Sequence, residues 1–293
     1  MSFAGQMIRK DQKMKTLLFA VAMCMAGMAC AGICVKDGET IAFMGDSITA
    51  GGNGPAGYCS MVMKALDVLG VKNCQKIAAG VGGNKSVQMH ERLDRDVLAR
   101  KDGRKAQWMT FSCGVNDVWH GANGVPLERY RELVSDIFDR CAAKGVKVIV
   151  LTPTLIHEDP DNRENRKLNA YVAWLKDEAA KRKLPVADLN AAMKAELARI
   201  RKTDGTPGNK LTRDGVHMQF PGNCMMAWGV LKAMGVDDSA KDRIFSAWRD
   251  MPSAYEPKVG WTANEWARIV ESARNCGKTA GAFVHDAAVQ AAR

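Results

Sequence analysis

The run Val146–Leu151, Val-Lys-Val-Ile-Val-Leu, restricts the fold more than any other segment of this chain. Nearly every residue is apolar and most are β-branched, so it predicts a strand with both faces covered rather than one face in water. Covering both faces requires helices, and the flanking stretches supply them. Leu127–Ala143 is amphipathic and is closed by Gly145, and Asn165–Lys181 follows on the other side. The same alternation runs through the chain. Thr40–Gly45, Asn73–Ala79, Gln107–Cys113 and Pro185–Leu189 read as strands; Tyr58–Leu69, Ser86–Arg100, Ala191–Arg201 and Pro221–Met234 read as helices. In Ser86–Arg100, for example, Val87, Leu93, Val97 and Leu98 fall near one face. Strand and helix alternating in this way predict an α/β/α sandwich of three layers around a parallel sheet of about five strands. Ligands of such sheets bind beyond the carboxyl ends of the strands, so chemistry is to be sought just after each strand.

The two ends of the chain break the alternation. Lys10–Lys15 form a basic region, Thr16–Gly27 a short apolar stretch, and Ala29-Cys30-Ala31 a small-residue site, which together read as a signal peptide over residues 1–31. Met14 is an alternative start. The apolar stretch is too short for a stable membrane span, and Gly27-Met28-Ala29 is a poor match to the signal for a lipid anchor on Cys30. The expected location is therefore secreted or periplasmic. Residues 237–293 contain Trp248, Trp261 and Trp266 without a strand signal and read as two or three helices packed on the domain. The expected division is a leader over 1–31, a catalytic domain over 32–236 and a helical C-terminal extension over 237–293.

Charge and cysteine content exclude more than they assign. The net charge is +10, of which +3 comes from Arg9, Lys10, Lys13 and Lys15 against Asp11, leaving +7 on the remainder. No block of like charge and no nucleic-acid motif accompanies it, so a nucleic-acid partner is not expected. Removing Cys24 and Cys30 with the leader leaves seven of the nine cysteines, an odd number. Cys113 and Cys141 lie in apolar strand and helix patterns as small core residues. A single bridge among Cys34, Cys59, Cys74, Cys224 and Cys276 stays open. No Cys-x-x-Cys pair occurs, and no metal or cofactor is expected.

Four short motifs follow strands or close the domain. Gly45-Asp46-Ser47-Ile48-Thr49 places a serine at a sharp strand-to-helix turn, where its hydroxyl is exposed and its backbone N–H faces outward. Serine needs a base to become a nucleophile. Ala79-Gly80-Val81-Gly82-Gly83-Asn84 is a glycine turn that lets backbone N–H groups approach a ligand. Gly114-Val115-Asn116-Asp117 offers the Asn116 amide at the same rim, and Asp214-Gly215-Val216-His217 presents a carboxylate and an imidazole from one loop.

These four blocks, in this order over roughly residues 40–235, resemble the SGNH/GDSL hydrolases, whose fold carries a flavodoxin-like parallel sheet. The resemblance implies Ser47 as nucleophile, His217 as general base and then acid, and Asp214 as the group orienting the imidazole. It implies an oxyanion hole of the Ser47 N–H, the Gly83 N–H and the Asn116 side chain. Many relatives have Asn and Ser or Ala where this chain has Ala78 and Gly82, so Gly82 and Gly80 stay open in place of Gly83. Ile48 replaces the usual leucine.

Asp46, Trp119 and His120 sit beside these blocks and His157 follows the fourth strand on the same rim, so all four are expected at the substrate site, Asp46 also as a partner of nearby backbone. His90 and His285 fall on helices and read as surface or packing residues. The expected activity is that of a serine esterase removing small acyl groups, such as acetyl, from carbohydrate through an acyl-enzyme. Export and the absence of an evident apolar lid favour this over a lysophospholipase-like or thioesterase-like hydrolase. The same four blocks would also suit a non-catalytic carbohydrate-binding protein on this fold, or an acyltransferase using the same three residues.

Overall fold

The computed structural model describes residues 32–252 and 263–292. Five strands, β1 (Thr40–Gly45), β2 (Gln75–Gly80), β3 (Trp108–Ser112), β4 (Lys147–Leu151) and β5 (Val186–Ala187), form one sheet in the order β2-β1-β3-β4-β5. All neighbouring pairs are parallel, which is the flavodoxin-like order expected from the sequence. β1 and β3 are buried at every residue and β4 at all but Lys147, which is why these segments are apolar runs rather than alternations. β5 is shorter than the expected Pro185–Leu189 because Asp188 ends it. The Asp188 carboxylate accepts the Ala191 N–H at 3.2 Å and starts the next helix.

The helices are α1 (Ser47–Gly52), α2 (Tyr58–Val68), α3 (Ser86–Leu93), α4 (Val115–Trp119), α5 (Leu127–Ala143), α6 (Arg163–Lys181), α7 (Leu189–Thr203), α8 (Phe220–Ala233) and α9 (Lys241–Arg249). α3 does not run straight to Arg100 but widens into a π-helical turn over Asp94–Leu98. α3, α5 and α6 pack in succession, and α2, α7, α8 and α9 pack together. Right-handed crossovers place these two sets on opposite faces of the sheet. The core between the layers includes Phe43, Met61, Phe111, Ile137 and Leu231, all fully buried.

α9 belongs to this same compact unit. Ile244 and Trp248 are fully buried, and the Trp248 indole N–H donates to the Met61 carbonyl on α2 at 2.8 Å. The unit thus continues past residue 236, the boundary expected from the sequence, and a second, smaller unit contains α10 (Ala263–Asn275) and α11 (Ala280–Ala291). The expected leader, 1–31, and Trp261 lie outside the described residues. Cys34, Cys59, Cys74, Cys113, Cys141, Cys224 and Cys276 are all free thiols, so no bridge joins any of the five candidate cysteines among the described residues. No helix among the described residues is long and apolar enough to cross a membrane.

Candidate active site

In the order β2-β1-β3-β4-β5 the chain leaves β1 toward one edge and returns at β3 toward the other. The crevice opens where the two connections diverge. Gly45 pairs with Gly80 and Met44 with Phe111, so β1, β2 and β3 end level with one another. The three motifs that follow these strands are therefore brought to one rim.

After β1 the backbone turns at once into α1. The Asp46 Oδ1 atom accepts the Ile48 N–H at 2.9 Å and caps the helix. Ser47 is the first residue of α1, half-buried at the crevice. Its Oγ lies 2.9 Å from Nε2 of His217, 170 positions further along the chain. The other ring nitrogen, Nδ1, lies 2.7 Å from Oδ2 of Asp214. Hydroxyl, imidazole and carboxylate form one hydrogen-bonded line.

The loop that holds the imidazole is wound around Asp214. Oδ1 accepts the backbone N–H groups of His217 at 2.8 Å and Val216 at 3.1 Å, leaving Oδ2 for the ring. Burial pushes the Asp214 carboxyl up, but these bonds outweigh it and hold the carboxyl at about 2. Gly215 sits between them at φ +95°, and a Cβ there would stand 2.9 Å from Nδ1 of His157. A side chain is excluded both by the left-handed backbone and by that neighbour.

Sequence reasoning missed the anchor of this loop, which is Glu158. It is 1% exposed, and its carboxylate accepts the N–H groups of Lys210 at 2.8 Å, Leu211 at 2.8 Å and Thr212 at 2.6 Å. It also accepts the Thr212 hydroxyl at 2.7 Å, and that hydroxyl in turn accepts the Gly215 N–H at 3.0 Å. His157 and Glu158 both adopt the left-handed region, at φ +60° and +50°. The only signal for Glu158 in the sequence was its place on the loop that follows β4, next to His157.

The glycine turn and the third motif meet opposite Ser47. Gly83 has φ +74° with open space where a side chain would be, and a Cβ on Gly82 would come within 4.0 Å of the Ser47 Cβ. Asn116 is buried on α4, and its Nδ2 donates to the Asn84 carbonyl at 3.0 Å. An amide nitrogen carries two hydrogens, so one remains for a ligand oxygen. Asp117, beside it, is buried and accepts both the N–H and the hydroxyl of Ser86, at 3.0 and 2.5 Å.

Asp46 departs from the expected substrate contact. It is 1% exposed and spends its carboxylate on α1, so it cannot reach a ligand in the crevice. Burial, together with the charge of Asp117, pushes its carboxyl up to about 6 against the pull of the Ile48 N–H.

Trp119, His120 and His157 do come together. Trp119 ends α4 with 37% of its surface exposed, and its ring centroid lies 6.0 Å from that of His157 and 6.1 Å from that of His120. The His157 N–H donates to the Gly215 carbonyl at 2.8 Å, which ties this aromatic group to the His217 loop. By contrast His90 pairs with Asp136 on α5, and His285 lies on α11 in the second unit. No cluster of metal-ligating side chains occurs among the described residues.

A serine hydroxyl aligned with imidazole and carboxylate at the carboxyl edge of a parallel sheet is an arrangement suited to nucleophilic catalysis on an α/β fold. The chain belongs to the GDSL-like lipase/acylhydrolase family, whose model matches residues 43–222, and it is a carboxylic ester hydrolase. No curated protein matches the sequence. Among solved structures it is similar to an acetylxylan esterase from Geobacillus stearothermophilus, at 23% identity and a TM-score of 0.61, over 70% of this chain and 98% of that one. It is also similar to the acetyl xylan esterase AlAXEase, at 26% identity and a TM-score of 0.60, over 66% of this chain and 98% of that one. A third, an α/β hydrolase from the metagenome of Lake Arreo, Spain, has 22% identity and a TM-score of 0.59, over 70% and 98% of the two chains.

Proposed function

We propose that the chain is an exported carbohydrate acetylesterase that works through an acyl-enzyme on Ser47. The observation that carries the reading is the line from Ser47 Oγ to His217 Nε2 at 2.9 Å and from His217 Nδ1 to Asp214 at 2.7 Å. His217 takes the proton from Oγ as Oγ bonds to the ester carbonyl carbon. The negative charge that forms on the carbonyl oxygen meets the Ser47 N–H, the Gly83 N–H and the free hydrogen of Asn116 Nδ2. As the C–O bond to the alcohol breaks, His217 returns the proton to the leaving oxygen. Water then repeats the sequence, releasing the acid and restoring Ser47. Asp214 accepts the Nδ1 hydrogen throughout, which holds Nε2 as the basic nitrogen.

Two observations favour a small acyl group on a sugar, and a third supports the roles of Ser47, Asp214 and His217. The exposed Trp119 ring offers a stacking surface beside two imidazoles that can bond hydroxyls. Two of the structural neighbours are acetylxylan esterases. Structures of catalytic mutants of the Geobacillus enzyme replace a serine, an aspartate and a histidine, with the last two separated by two residues, as Asp214 and His217 are here.

The test is acetate release from acetylated xylo-oligosaccharides and from p-nitrophenyl acetate, set against release from p-nitrophenyl palmitate. Acetyl substrates should be preferred, a fluorophosphonate probe should label Ser47, and Ser47→Ala should lose at least about 10³-fold in kcat while staying folded. Turnover surviving in Ser47→Ala, or a preference for the long chain, would sink the reading.

A further inference from the structure

Arg92, on α3, is a buried guanidinium, 6% exposed, that plays no part in the acyl-transfer steps. Its Nη2 donates to the Gly45 carbonyl at 2.8 Å, and its Nη1 donates to the Ala79 carbonyl at 2.9 Å and to Asp96 at 2.7 Å. Its Nε donates to the Asn84 side-chain oxygen at 2.6 Å. Gly45 is the last residue of β1, two positions before Ser47. Ala79 is the next-to-last residue of β2, ahead of the glycine turn. Asn84 follows Gly83, and its backbone carbonyl receives the Asn116 amide at 3.0 Å. One planar fork thus joins the turn that bears the hydroxyl, the turn that bears the Gly83 N–H, and the residue that fixes which way the Asn116 amide points.

We propose that Arg92 is a positioning residue for acyl transfer, acting through Asn84 to aim the Asn116 amide at the oxygen that becomes negative. The inference rests on the esterase reading and adds a residue to it. An amide rotated by a few tens of degrees, or moved by about 1 Å, loses most of its value to a transition state, because a hydrogen bond weakens steeply away from linearity. Asn116 is held in the useful rotamer by the Asn84 carbonyl, and Asn84 is held by Arg92. The planar guanidinium has donors aimed in fixed directions at acceptors on three segments, a task that a lysine ammonium cannot take over. Asp96, which receives the remaining Nη1 bond, lies in the π-helical turn that follows α3, so the widened turn carries the counter-charge for the fork.

Asn84→Ala is the decisive variant, because it keeps the backbone carbonyl that holds Asn116 and removes the side-chain amide, with the oxygen that Arg92 holds, from a half-buried position. It should melt within a few degrees of wild type. Its kcat on p-nitrophenyl acetate should fall about 10- to 100-fold, less than the loss of a donor itself, while KM stays within about twofold. Phenylboronic acid, which forms a tetrahedral adduct on Ser47, should bind more weakly by the same factor, and the acid limb of the pH profile should not move. Arg92→Lys should show the same kcat loss, and the double variant should lose no more than the worse single one. If Arg92→Lys does not fold, Asn84→Ala decides alone. A folded Asn84→Ala with wild-type kcat and boronate affinity overturns the assignment while ester hydrolysis stands, provided the fluorophosphonate labels Ser47 in wild type. No label on wild-type Ser47 overturns both.

Discussion

Ser47 follows a carboxylate that is 1% exposed and pushed up to about 6 by burial and by Asp117. In the unfolded chain that carboxyl ionises at 3.8. The folded state therefore holds a proton that the unfolded state has released, and stability falls as pH rises from about 4 to about 6. Above that window the buried charge costs on the order of 3 kcal/mol. Asp214 works in the opposite direction. Its folded value, about 2, lies below the unfolded 3.8, so its contribution is present above about pH 4 and is lost as pH falls toward 2. Its side chain is 46% exposed, and solvent screening reduces that contribution to about 1 kcal/mol. Asp46→Asn keeps an oxygen for the Ile48 N–H and removes the charge. It should therefore be more stable than wild type by roughly 1–3 kcal/mol at pH 8 and equal to it near pH 4, as read by urea unfolding at the two pH values. An equal gain at both would show that the charge is not the cause. Asp46 was legible in the sequence as a neighbour of Ser47 and as a partner of nearby backbone. That it turns inward, and so is no substrate contact, depends on the Ile48 N–H that it caps and on the burial of α1's first turn, which pattern alone does not reveal.

Among the elements, the loop from Lys210 to His217 has little regular structure, only a single bridge between Thr212 and Met218. What gives it one conformation is Glu158, whose carboxylate gathers three backbone N–H groups and the Thr212 hydroxyl. Glu158→Ala would leave those donors buried without an acceptor and should cost on the order of 3–5 kcal/mol. Glu158→Gln keeps one oxygen for the Leu211 and Thr212 groups and turns an NH2 toward Lys210, so it should cost less. Because Thr212 passes the restraint to the Gly215 N–H, both variants should lower kcat below their melting temperatures. Both should also speed hydrogen exchange at the Leu211, Thr212 and Gly215 amides, with Ala above Gln. Wild-type exchange in Glu158→Ala would show that the loop is held elsewhere. The strands and the motifs that follow them were readable because each depends on a few consecutive residues: an apolar run, a glycine, a turn. Glu158 and Arg92 were not readable, since each is an ordinary charged residue until the fold brings backbone groups from 52 to 54 or 13 to 47 positions away onto it.

At the scale of the whole molecule, the layered sheet was legible because alternating strand and helix admit few topologies once right-handed crossovers are required. The end of the first unit was not. Lys241–Arg249, with four of its nine residues charged, reads in the sequence only as one of the helices packed on the domain, whereas Ile244 and Trp248 turn inward and the indole reaches α2. Burying a tryptophan this fully is worth about 3–5 kcal/mol against alanine, and at the size of this unit each kcal/mol moves the melting temperature by about 2–4 °C. A chain ended at residue 236 loses both side chains and exposes the α2 surface beneath them. It should melt at least about 10 °C below the full chain and label poorly with fluorophosphonate at Ser47 when warmed. A chain ended at residue 254 keeps every element of the sheet-containing unit and gives up only the second unit. It should melt within about 2 °C of the full chain and label at the same rate. Thermal scans on the two truncations locate the boundary: equal melting temperatures for both would place it at residue 236, and collapse of both would mean that the second unit is required for the first to fold.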